Sequence, residues 1–448
     1  MDRMSAVDAG FYFSEDPAAP MHVGSVLVFE GPAPSYGDVL RLFAGKLVPG
    51  YRRRVRELPF NLGRPVWVDD EHFRLSHHVR RVAVAAPGAD DQLRELAGRL
   101  FSQGLDMRRP LWEAWFVEGL EGGRWAVVCK VHHCLVDGVA GMGLLQALLD
   151  WRADAPVPVP TPWTPQPAPS VVGSVVEGVL APLGSLGRML RVGAGVDGLS
   201  VLRSLPGTAR RLAVRTPGSL NGPVGLGRRW VWAKAGLAEI KRIRGVAGGT
   251  VNDVILAAVA SGFRALLAKR DELRPGLVVR TLVPVSTRSS EERGVLTNRV
   301  GAVLVNLPVS EPDPLRRLAD VRGQMDGLKR SGQAVVASDV VSGLGDLASG
   351  AVLAWASRAV MRVPQRVVQT VVTNVPGPGV PMWMLGRRLA EVWPYVPVAG
   401  NVRVSVGVFS YLGEVVFGIT ADVDGVPDVG VLAEGIREGF DELVAATA

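Results

Sequence analysis

One stretch restricts the possible folds more than any other. Trp125 to Val131 is rich in Val and nearly free of turn residues, so it reads as a strand. His132-His133-Cys134-Leu135-Val136-Asp137-Gly138 follows, and then Val139 to Leu149, with Met142, Leu145 and Leu149 at helical spacing. A strand that runs through a histidine pair and an Asp-Gly turn into a helix is a unit of α/β architecture. In such folds the scaffold fixes the groups at strand ends and the loop exposes them.

Side chains alternate across a strand, so His132 and His133 point to opposite faces if the strand persists that far. They are then not joint ligands of one metal; one is placed for chemistry and the other for support. An imidazole is available as a base at neutral pH. Asp137 can hold the loop or fix a ring, and Gly138 permits a sharp turn. A plainer reading stands beside this one: a buried histidine is commonly a satisfied core residue, and Asp before a helix is commonly an N-cap. The chain carries its own control in His77-His78, which is followed by Val79-Arg80-Arg81 with no Asp-Gly. That pair reads as structural. A chance match to the longer motif is expected in roughly one of a couple of thousand such chains, which favours function at His132-His133.

HHxxxDG is the signature of the CoA-dependent acyltransferase superfamily. More closely, the chain resembles the bacterial wax ester synthase/diacylglycerol acyltransferase family. The likeness runs in order through SAVDAGFYF and PMHVGSVLVFEG near the start, LDMRRPLWE at 105–113, HHCLVDGVAG and LNGPVG at 220–225. It continues through TVNDVILA at 250–257, VPVSTR at 283–288, TNVPGP at 373–378 and FSYLGEVVFG at 409–418. The resemblance implies a two-lobed α/β fold like that of chloramphenicol acetyltransferase, with a substrate tunnel between the lobes. It implies a long-chain acyl-CoA as co-substrate, diacylglycerol or a fatty alcohol as acceptor, and no permanently bound cofactor. His133 is then the base with His132 beside it, and Asp137 and Gly138 hold the motif loop. Arg288 is the implied partner of Asp137. Asn252, Asp253, Thr373 and Asn374 would bind substrate or stabilise the oxyanion. Two local readings compete: Thr250 and Asp253 also make a capping box, and Asn before a Pro-Gly segment is ordinary turn chemistry. Other activities on this fold are a condensation-type or polyketide-associated acyltransferase, and a non-catalytic lipid-droplet-binding protein.

The lobes are expected over 1–155 and 229–448. Between them, 156–228 opens on the proline-rich PVPVPTPWTPQPAP and continues through 171–214, apolar with spaced arginines. The latter reads either as a helix lying in a membrane or lipid-droplet surface or as a crossover packed over both lobes. In the second half a capped helix is expected from Thr250 to about Leu267. Strands are expected at 278–286, 300–307, 367–373, 402–411 and 414–421, the last two joined by a tight hairpin at Leu412-Gly413. A closing helix starts near Asp428.

The net charge of +7 suits a phosphate-rich cofactor or an anionic membrane surface, and no nucleic-acid motif accompanies it. No stretch approaches the roughly 18 uninterrupted apolar residues that span a bilayer. Early acids at the N-terminus do not fit a signal peptide. The expectation is a cytoplasmic protein, peripherally associated with the inner face of the cell membrane or with lipid inclusions. Cys129 and Cys134 read as small core residues in a reducing compartment, and no Cys/His spacing suits a metal.

Overall fold

The computed structural model describes residues 2–135, 148–170, 173, 176, 215–286, 300–331 and 350–448. Asp137, Gly138, Arg288 and nearly all of 171–214 lie outside them. Among the described residues, fourteen strands follow one another along the chain. The first six are β1 (His22–Phe29), β2 (Arg53–Arg56), β3 (Val66–Asp69), β4 (Val79–Ala83), β5 (Trp112–Glu118) and β6 (Trp125–His132). The second half adds β7 (Arg228–Gly236), β8 (Val279–Ser286), β9 (Val300–Leu307) and β10 (Thr370–Val375). It closes with β11 (Trp383–Met384), β12 (Arg387–Tyr395), β13 (Val404–Tyr411) and β14 (Glu414–Asp422). Two six-stranded sheets result, in the orders β11-β12-β1-β6-β5-β4 and β7-β14-β13-β10-β8-β9, and β2 pairs with β3 alone.

All eight residues of β6 are buried because both of its faces are covered. Lys130 donates from Nζ to the carbonyls of Leu100 and Gln103, at the end of the helix Asp90–Ser102. On the other face, Trp112 stacks on Phe43 of the helix Tyr36–Lys46. The helix Asp90–Ser102 buries an apolar stripe of Leu93, Leu96, Ala97 and Leu100.

The two sheets meet through β12. It arises late in the chain, yet it pairs antiparallel with β1, Gly24 opposite Tyr395 and Leu27 opposite Val392. Its other neighbours belong to the second sheet: Trp393 stacks on Trp232, and Trp230 donates from Nε1 to the Pro394 carbonyl at 3.2 Å. A Cβ at Gly418 would stand 1.7 Å from that same carbonyl oxygen, so only glycine lets β14 lie this close.

The Leu412-Gly413 hairpin forms as expected, with φ of 49° and 84°, the two positive values of a tight two-residue turn. Thr250 accepts from the Asp253 N–H, and Asp253 reaches back to the Thr250 N–H, so the capping box is real. The helix it opens, Val251–Lys269, is long and apolar enough to cross a membrane by length and composition. It is instead core: the C-terminal helix Val429–Ala446 packs on it so tightly that a Cβ on Gly262 would meet Leu432 O at 2.6 Å. Two strands differ from expectation by more than one residue. The strand expected at 402–411 begins at Val404, and the one expected at 367–373 is Thr370–Val375. Asn374 therefore lies inside a strand, paired with Val408, because the ladder continues to Pro376, which has no N–H to donate.

Candidate active site

β6 ends at His132, and His133 opens a short 3-10 turn, His133–Leu135. Strand alternation therefore stops one residue earlier than the pattern needed to set the two rings on opposite faces. Two hydrogen bonds close the turn. The His133 N–H donates to the Met21 carbonyl at 2.8 Å, and the Cys134 N–H donates to His132 Nδ1 at 3.1 Å. That second bond makes Nδ1 the acceptor and leaves the proton of the neutral ring on Nε2. Nε2 lies 3.3 Å from a carboxylate oxygen of Glu15. The same oxygen accepts from the Met21 N–H at 2.7 Å. Glu15 thus ties the entry to β1 and the His132 ring into one frame, and that frame carries His133.

The two histidines are placed differently. His132 is fully buried, which suits support. His133 is half-buried, and its ring stacks on Phe11 with centroids 3.9 Å apart and planes at 21°. Phe11 belongs to the helix Ala6–Phe13, started by Ser5, whose hydroxyl accepts from the Asp8 N–H. This helix packs on the His133 turn and on the helix Gly350–Arg362 from the second half, where Arg358 lies over the Phe13 ring. His133 therefore stands at the junction of the two halves.

Opposite His132 on β1 sits His22, fully buried and stacked on Tyr395. Burial, then the charge of Lys130, holds its pKa well below the ordinary imidazole value. Burial also pushes the thiols up, Cys129 to about 12 and Cys134 well above its usual value. Both cysteines are core residues, and a thiol held protonated is a poor nucleophile.

On the second sheet the predicted residues separate. Asn374 donates to Asn252 Oδ1 at 3.3 Å, on the side of the helix Val251–Lys269. Thr373 pairs with Gly407, where a Cβ would meet Val396 and Pro394, so it faces β12 and the first sheet. The two therefore cannot serve one site from one face. Asp253 is fully buried and its Oδ2 is spent on the helix cap. Glu15, Phe11 and Met21 were not singled out from the sequence: Phe11 and Met21 lie within the stretches SAVDAGFYF and PMHVGSVLVFEG, and Glu15 among the early acids of the N-terminus.

Comparison with known proteins places this arrangement. Residues 4–255 match the family model described as the wax ester synthase/diacylglycerol acyltransferase catalytic domain, and 296–444 match the WS/DGAT C-terminal domain. The probable diacylglycerol O-acyltransferase tgs1 of Mycobacterium tuberculosis is 39% identical over 454 residues, covering 99% of this chain and 96% of its own. The probable diacylglycerol O-acyltransferase tgs2 of the same species is 32% identical, covering 100% of this chain and 99% of its own. Among solved structures, the wax ester synthase/diacylglycerol acyltransferase from Marinobacter aquaeolei VT8 superposes with a TM-score of 0.69 at 24% identity, covering 99% of each chain. The first condensation domain of the calcium-dependent antibiotic synthetase gives 0.63 at 15%, covering 100% of this chain and 97% of that one. Both likenesses show the two-lobed fold.

Proposed function

Because this chain belongs to the wax ester synthase/diacylglycerol acyltransferase family, and is thus an acyltransferase, we propose that His133 drives its reaction as a base. The acyl group passes from a long-chain acyl-CoA to the hydroxyl of diacylglycerol or of a fatty alcohol. The observation that carries this reading is the half-buried His133 ring, held at the junction of the halves by a turn whose own hydrogen bonds are satisfied.

In the proposed step the imidazole takes the hydroxyl proton while the oxygen attacks the thioester carbonyl. The new C–O bond forms, the C–S bond breaks, and the proton passes from the ring to the departing thiolate of CoA. A base within hydrogen-bond reach is worth about a hundred- to ten-thousandfold. The step needs no acyl-enzyme, and neither cysteine is set up as a nucleophile. Thr373, on the face turned toward the first sheet, is the better placed of the strand-end donors for the oxyanion. Asn252 and Asn374 brace one another beside it. Asp137 and Gly138 keep the role of holding the motif loop, with Arg288 as the proposed partner of Asp137. The reading calls for no metal and no resident cofactor.

Both acceptors partition into membranes, and we place the enzyme peripherally on the cytoplasmic face of the membrane or on lipid inclusions. One surface supports this. The helix Gly350–Arg362 exposes Val352 and Trp355, the latter to 73%, and a neighbouring turn exposes Phe60 to 89%. A Cβ on Gly350 would meet Asn61 O at 2.6 Å, so helix and turn form one body. Exposed apolar and aromatic side chains followed by Arg358, Arg362 and Arg366 suit an anionic lipid surface.

The test is ester formation by the purified protein from palmitoyl-CoA, with dioleoylglycerol and hexadecanol as parallel acceptors. Triacylglycerol or wax ester is the expected product. Release of free fatty acid alone, with either acceptor present, contradicts the proposal.

A further inference from the structure

The proposed step makes no use of one contact at His133. The Phe11 ring lies against one face of the imidazole, with centroids 3.9 Å apart and planes 21° from parallel. Both side chains are half-buried. Stacking of this kind covers a π face and by itself leaves the ring edge uncovered. The edge is where an imidazole nitrogen accepts a proton.

The backbone fixes both partners of this contact. The His133 N–H is held on the Met21 carbonyl at 2.8 Å. Phe11 lies in the last turn of the helix Ala6–Phe13, and the two residues after it, Tyr12 and Phe13, are buried. Tyr12 Oη donates to Glu57 Oε1 at 2.9 Å, which ties the helix to the first half. Arg358 lies over the Phe13 ring at 5.5 Å, which ties it to the second. On the other side of Phe11, a Cβ on Gly10 would stand 3.8 Å from Ser357 Oγ, in ordinary contact with the helix Gly350–Arg362. With its chain neighbours held from both halves, Phe11 leaves the imidazole only if a side chain changes rotamer.

Two consequences follow for a ring that carries a proton in mid-reaction. An imidazole held flat against a neighbour is already oriented when the acceptor arrives, so less of the barrier goes into alignment. The face of an aromatic ring is also negative and attracts a cation lying over it. In the proposed step His133 is neutral before it takes the hydroxyl proton and positive afterwards. The contact therefore favours the later state over the earlier one, and that difference raises rate rather than binding. We propose that Phe11 is a positioning residue, which orients the His133 imidazole and stabilises it while it bears the proton. The assignment rests on His133 acting as the base.

Phe11→Leu keeps an apolar side chain and removes the π face, an exchange of hydrophobic residues that folds commonly tolerate. With palmitoyl-CoA and either dioleoylglycerol or hexadecanol, it should lower kcat by about three- to thirtyfold, the range for a cation over an aromatic ring from exposed to desolvated. KM and the melting temperature should stay close to wild type. Phe11→Tyr keeps a ring and should retain most of the rate. In a His133→Ala background, Phe11→Leu should change nothing further. A kcat within about twofold of wild type in folded Phe11→Leu overturns the proposal. Equal loss in the Tyr variant, or further loss in the double variant, also overturns it.

A readout that needs no turnover follows the stack itself. With histidine labelled at Cε1, the His133 proton signal is identified by its disappearance in His133→Ala. It should lie upfield in wild type and move downfield in Phe11→Leu, because an aromatic ring shields protons held over its face. A signal that does not move overturns the proposal. Full turnover by His133→Ala would overturn the base reading and this assignment with it, whereas loss there beside an unaffected Phe11→Leu would overturn this assignment alone.

Discussion

The first lobe contains two histidine pairs, and their neighbourhoods resemble each other up to a point. In each, one ring is buried and bonded while the other is half-buried. His78 donates from Nδ1 to the Trp112 carbonyl at 2.8 Å and stacks between Phe73 and Trp112. His132 is held by Cys134 and Glu15. The partners part company in what they face. The Nδ1 lone pair of His77 is taken by the Arg109 guanidinium. His133 lies against Phe11, on a helix that in turn packs on one contributed by the other half. A cavity of about 310 Å³ sits beside His77 and His78, but its charged walls pair among themselves, Arg80 with Glu113 at 3.2 Å and Arg109 with Asp106 at 3.2 Å. A doubled histidine and an adjacent hollow therefore do not make a site. The proposed site rests instead on the junction of two lobes and a half-buried ring on a braced turn.

The comparison breaks most visibly at the outward rings. His133→Ala should lower ester formation by about a hundred- to ten-thousandfold with the melting temperature kept within a few degrees. His77→Ala should change turnover less than about twofold, since surface substitutions away from special features cost little. Equal losses from the two variants would erase the distinction.

A smaller effect is expected at Glu15, a positioning residue that acts through His132 and Met21. Glu15→Ala should lower kcat by up to about a hundredfold, the scale of a slightly misplaced catalytic group, with KM nearly unchanged. Glu15→Gln can still accept from the Met21 N–H and from His132, so it should recover most of the rate. A merely structural role would instead lower the melting temperature of both variants and move kcat little.

The smallest effect concerns the buried rings. Burial lowers the pKa of both His22 and His78, so the folded chain resists their protonation while the unfolded chain does not. Their contribution to stability is complete above the unfolded imidazole value of about 6.5 and is lost as pH falls below it. The melting temperature should therefore drop between pH 7 and pH 5, and His22→Phe should flatten that slope. An unchanged slope in the variant would show that His22 is protonated in the fold.

What the sequence made legible was local. The strand, the histidine motif and the Thr250–Asp253 cap each depend on residues a few positions apart, where period and spacing carry the information. Contacts that cross the chain left no such trace. Glu15 meets His132 across 117 positions. β12 sits in the first sheet while β13 and β14, next in sequence, belong to the second. Arg52, in the run Arg52-Arg53-Arg54, lies over the Trp163 ring of the proline-rich connector at 5.3 Å. Likewise the two-faced character of Thr373-Asn374 became visible only once β10 was known to continue to Val375.

The claim on which the account turns is that one imidazole, that of His133, removes the proton from the acceptor hydroxyl. Supplying the missing ring to a His133→Gly variant tests it directly, with ester formation followed as free imidazole is added. The account predicts an inactive variant whose turnover rises with imidazole and then saturates, while a His132→Gly variant gains nothing. Full turnover by His133→Gly without imidazole would place the base elsewhere and contradict it.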